Sequence, residues 1–68
     1  MWAIGTYGIL KNPDVIYAEK NENKLFDIFA KNEFYELVLE RDVKESDLKK
    51  IMLRIDFSLQ TQEMKYED

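Results

Sequence analysis

"KKIMLRIDFSLQ", Lys49 to Gln60, decides the fold. From Ile51 onward its apolar residues alternate: Ile51, Leu53, Ile55, Phe57, Leu59. Alternation of this kind marks a strand with one buried face. The same stretch, extended back to Leu48, also places Leu48, Ile51, Met52, Ile55 and Leu59 on one side of a helix. Their three- and four-residue spacing makes a stripe about a third of the circumference wide, as a core-facing helix needs. Local chemistry favours the helix. Ser46 is a suitable N-cap, Asp47 places negative charge at the positive end of the helix dipole, and neither Gly nor Pro follows Asp42. The sequence therefore predicts a helix over residues 46–62, with Tyr66 further along its stripe and an acidic tail at 63–68 that frays. The alternative is a short helix followed by a strand at 53–60.

Upstream, turn signals recur about every ten residues: Asn12-Pro13-Asp14, Asn21-Glu22-Asn23, Lys31-Asn32 and Asp42 to Ser46. Between them lie runs rich in β-branched and aromatic residues. These predict strands at 2–10, 15–19, 25–30 and 33–40. The fold class is α+β: a small antiparallel β-meander of three to four strands packed against a C-terminal helix. Residues 22–31 also fit a short helix capped by Asn21, which would give a ββαβα alternative. A two-residue Lys31-Asn32 turn would set Asp27 against Glu36, an unfavourable like-charge pair that a longer loop removes.

Pairing the strands sorts side chains onto two faces. Ile16, Phe26, Ile28, Tyr35, Leu37 and Leu39 are expected to meet the helix. Val15, Tyr17, Leu25, Phe29, Phe34 and Val38 are expected on the other face. The helix leaves Leu53, Phe57 and, further along, Met64 off its core stripe. Two surplus apolar sets on a 68-residue chain predict a protein-protein interface built from Leu53, Phe57, Met64, Tyr17, Phe29, Phe34 and Val38.

Size points the same way. A chain this short buries only about 60% of its unfolded surface, and disulfides, metals or oligomerisation commonly make up the deficit. With no cysteine and no histidine, disulfides and Cys/His zinc sites are excluded. A homo-oligomer, most simply a dimer, is the expectation, with an unidentified protein target as a further partner. The nine aromatics (one Trp, four Tyr, four Phe) predict a folded rather than disordered chain.

Chemistry is sparse. Ser-His-Asp and Cys-His nucleophile systems are impossible. Ser46-Asp47-Leu48-Lys49 matches the bare Ser-x-x-Lys string of serine acyl-enzymes but lacks its companion motifs. The Gly5-Thr6-Tyr7-Gly8 stretch has no following Lys-Ser/Thr and is no phosphate loop; its glycines suit a bulge or close packing. Glu36 and Glu40, with Asp27 nearby, read as a solvated sheet face. The expectation is no catalytic residue, no metal and no cofactor.

A net charge of −4 argues against nucleic-acid binding, as does the interleaving of Lys20 and Lys44 with acidic residues. No apolar run is long enough to span a membrane, and the start lacks a basic, cleavable leader. The expected setting is the cytoplasm. The leading functional expectation is a non-catalytic accessory or inhibitor-like module that binds protein through an apolar surface. An acidic nucleic-acid mimic using Glu33, Glu36, Glu40, Asp42 and Glu45 is the alternative, and an enzymatic or small-molecule-binding domain a lesser one.

Overall fold

A computed structural model describes the backbone of residues 1–67 and the side chains of residues 1–60. Five strands precede one helix: β1 (Trp2–Ile4), β2 (Ile9–Lys11), β3 (Val15–Lys20), β4 (Phe26–Lys31), β5 (Glu36–Val43) and α1 (Glu45–Glu67). Strands β3, β4 and β5 form an antiparallel meander in that order, while β1 and β2 form a separate hairpin. The α+β class and the C-terminal helix expected from the sequence are what the structure has.

The decisive stretch is helical. Ile55 is buried, and Leu48, Ile51, Met52 and Leu59 pack around it against the core. Leu53 and Phe57 lie off that stripe and are exposed. Glu45 and Asp47 place acid in the first turn, where the unsatisfied amides favour it. Ser46 is not the cap. Because β5 runs on to Val43, Lys44 stands before the helix, and its carbonyl accepts from the Asp47 amide at 2.9 Å. The side chains of Met64 and Tyr66, and the acidic tail expected at 63–68, fall outside the described side chains.

The expected strand over 2–10 is two strands. The Gly5 amide donates to the Gly8 carbonyl at 2.9 Å and closes a tight turn. A Cβ at Gly5 would run into the Leu39 carbonyl, and one at Gly8 into that of Val38. Both positions need glycine because the turn lies directly on the β5 backbone. The Tyr7 amide then reaches the Leu39 carbonyl at 3.0 Å, and the Thr6 amide reaches Glu40 Oε2 at 3.0 Å. Folding the hairpin onto the meander turns Ala3 and Leu10 inward, beside Ile28, Ala30, Leu39, Val43 and Ile55. Ile28 and Leu39 are fully covered.

Residues 26–31 form a strand, so the helical alternative for this stretch does not hold. Asn21, its proposed cap, instead closes the β3–β4 turn. Its Oδ1 accepts from the Asn23 amide at 2.8 Å, and its Nδ2 donates to Asp27 Oδ1 at 3.0 Å and Asp42 Oδ1 at 2.8 Å. The β4–β5 loop is longer than two residues, and Lys31 faces Glu36, so the like-charge clash is avoided. Leu39 is an extra residue on β5, and Arg41-Asp42 stand opposite the single residue Asp27, so β5 bulges twice against β4. Asp42 takes φ 54° there.

Five of the six residues expected to meet the helix lie in, or pack against, the core that also holds Ile55: Ile16, Phe26, Ile28, Leu37 and Leu39. Tyr35 does not. It precedes β5, in a loop, and is exposed. The strand expected at 33–40 starts three residues later because Asn32 forms a side-chain turn. Its Oδ1 accepts from both the Phe34 and Tyr35 amides at 2.8 Å.

Candidate interaction surface

Of the seven residues singled out from the sequence, Met64 lies outside the described side chains, and the other six do not gather into one patch. Tyr17, Phe29 and Val38 are cross-strand neighbours on the meander face away from the helix. The Tyr17 and Phe29 rings stack, with centroids 5.2 Å apart and planes 17° from parallel. All three are half-buried against one another, and charge flanks them: Lys31 and Glu36 on one side, Glu19 and Asp27 on the other. That face is narrower and more polar than expected. Leu25 lies in the β3–β4 turn, just before β4. Leu53 and Phe57 belong to the outer side of α1, and Phe34 to the β4–β5 loop.

Tyr17 reaches across β4. Its hydroxyl donates to Glu36 Oε2, and the carboxylate holds the phenol's pKa up at about 12. Glu40 accepts from Thr6, and Asp42 from Asn21. Much of the proposed acidic row is therefore engaged in holding the fold. Among the described residues, no cluster of three acidic side chains is placed to hold a metal ion, and no helix is long and apolar enough to cross a membrane.

The most developed surface lies between the hairpin and the β4–β5 loop. It is an open groove of about 700 Å³. Leu10 and Leu37 form its floor. Trp2 and Ile9 line it from the hairpin, Phe34 and Tyr35 from the loop. Asn12, Asp14, Asn32 and Glu33 give it a polar rim. Phe34 is 77% exposed and Tyr35 67%.

Local geometry fixes both walls. Trp2 pairs with Lys11 across the hairpin, and Lys11 Nζ sits over the indole at 5.8 Å. On the other wall, Asn32 holds the loop as described, its backbone amide donates to the Tyr35 carbonyl at 2.8 Å, and its Nδ2 donates to the Lys11 carbonyl at 2.9 Å. One side chain thus shapes the aromatic loop and ties it to the opposite wall.

Sequence reasoning found Phe34 but missed Trp2, Ile9 and Tyr35. A signal existed in Asn32 followed at once by Phe34-Tyr35. Asn at the start of a turn pulls the next residues out of the strand and so exposes these rings. Compared with known proteins, the chain matches no family model, no curated protein and no solved structure.

Proposed function

We propose that the chain is a non-catalytic protein-binding module that docks an apolar segment of a partner in the groove between the hairpin and the β4–β5 loop, and that it also self-associates. The carrying observation is the pair Phe34 and Tyr35, exposed yet held by Asn32 across from Trp2 and Ile9. Aromatic side chains have few torsions to freeze and contribute disproportionately to binding energy. A loop already fixed in place costs little further entropy when a partner docks. The polar rim around an apolar floor has the anatomy of a protein interface.

The test is affinity capture from the native host with the wild-type chain and a Phe34→Ala/Tyr35→Ala pair, at low and high salt. The reading expects a partner held by wild type, retained at high salt and lost with the pair. A partner captured equally by both chains and released by salt would support nucleic-acid mimicry instead.

A further inference from the structure

The two edges of the meander are treated differently. The β5 edge is blunted. It bulges twice, carries a left-handed residue at Asp42, and is capped by the Gly5–Gly8 turn through the Tyr7–Leu39 hydrogen bond. These are the devices by which native sheets stop their edges from pairing. The β3 edge has no bulge, and its charged residues, Glu19 and Lys20, sit only at its end. It pairs with β4 on one side in unbroken register from Val15↔Lys31 to Lys20↔Phe26, and among the described residues no strand lies on its other side. Tyr17, its largest side chain, leans inward over Phe29 toward Glu36 and leaves the edge backbone approachable.

We infer that β3 is the self-association site: two copies pair antiparallel through β3, with the two-fold axis at Tyr17, to make one six-stranded sheet. This rests on the self-association part of the function proposed above and assigns it a surface.

Symmetry and charge select the register. Only alternate residues of an edge strand point their amides and carbonyls outward. In a two-fold pair both partners come from that outward set, so the two residue numbers must sum to an even value. The best-overlapping choices centre on Tyr17 or on Ala18. Centring on Ala18 sets Lys20 against the partner's Ile16 and Glu19 against the partner's Tyr17, charge against apolar. Centring on Tyr17 sets Asp14, which precedes β3 and whose own amide is taken by the Lys31 carbonyl at 2.8 Å, against the partner's Lys20 through side chains alone, twice per dimer. Asp14 and Lys20 are both exposed in the single chain. It also places Ile16 against the partner's Ala18, Tyr17 against the partner's Tyr17 and Val15 against the partner's Glu19, so the Asp14–Lys20 attraction is what distinguishes it from the Ala18 register. The Val38–Phe29–Tyr17 row then continues unbroken into its symmetry mate. Opposite charges directly across a ladder are favourable and like charges are not.

The experiment is sedimentation equilibrium of the full chain with Asp14→Lys and Lys20→Asp, each alone and mixed one to one. Wild type is expected at twice the 8.2 kDa chain mass. Each variant alone replaces both cross-strand attractions with repulsions and weakens the dimer about tenfold. The mixture restores both attractions in a heterodimer and brings the affinity back to about the wild-type value, within roughly threefold. A chain that stays at 8.2 kDa at every concentration overturns this inference and the self-association proposal together. A dimer indifferent to both charge changes but dissociated by Leu53→Asp or Phe57→Asp overturns the β3 assignment alone.

Discussion

The Asn32 side chain joins two segments distant in sequence: its Nδ2 donates to the Lys11 carbonyl at 2.9 Å while its Oδ1 receives the Phe34 and Tyr35 amides. One residue thus shapes the aromatic loop and ties it to the hairpin. Asn32→Ala removes all three side-chain bonds at once. The expected loss is about 1–3 kcal/mol of stability, given partial replacement by water. Asn32→Asp keeps the acceptor and loses the donor, so it should fall between alanine and wild type. Urea denaturation ranks the three. Amide exchange at Phe34 and Tyr35 should quicken most in the alanine variant.

Gly5→Ala tests the docking of the hairpin turn. The added methyl group meets the main chain of Leu39, which cannot swing aside as a flexible side-chain tip would. Overpacking of this kind costs about 1–3 kcal/mol or more. That is a large share of the ~5 kcal/mol expected for a domain this small. Thermal melting should show a clear drop. An unchanged midpoint would mean that the turn does not lie on β5.

The two sides of α1 should answer oppositely to charge. Ile55→Asp puts a carboxylate at a site only 6% exposed and should unfold the chain, since burying an unpaired charge costs several kcal/mol. Leu53→Asp, at a site 58% exposed, should keep the helical circular dichroism and shift stability by only about 0.5 kcal/mol in the single chain. Equal damage from both would contradict the helical reading of Lys49 to Gln60.

The helix was legible because its signal is local: five apolar residues at three- and four-residue spacing, with nothing to interrupt them. Strand β4 was less so. Leu25, Phe26, Ile28 and Phe29 fit either period, and pairing with both β3 and β5 decided between them. The turn at Gly5–Gly8 was visible as two glycines. That it divides a strand depends on its seat against Val38 and Leu39, thirty or more positions away in the chain. The groove was the least legible feature. Its walls come from the hairpin and from the β4–β5 loop, and the seat of the hairpin on β5 together with the Asn32–Lys11 bond brings Trp2 and Ile9 opposite Phe34 and Tyr35. Tyr35 read as core because alternation was carried back through a segment that Asn32 turns out of the strand.

Tyr17 should leave its mark on alkaline stability. Its folded-state pKa is pushed up to about 12 from the ordinary tyrosine value of 10.0, chiefly because its hydroxyl donates to the Glu36 carboxylate. The folded chain therefore holds this proton more tightly than the unfolded chain. The resulting stabilisation is fully present below pH 10.0 and is lost as pH rises through about 12. Tyr17→Phe should flatten that decline, and absorbance titration of tyrosinate should lose its highest-pH step. An unaltered titration would place the raised pKa elsewhere.

The claim that the aromatic groove is the binding surface meets its most direct test in the Phe34→Ala/Tyr35→Ala chain. Both side chains are exposed, so the pair should fold with near-wild-type stability. Once a partner has been captured with wild type, its affinity for the two chains should be compared by calorimetry at low and high salt. The account predicts a loss of at least about a hundredfold, as removal of two central aromatic anchors implies, with little dependence on salt. Equal affinity of the two chains for that partner would contradict it.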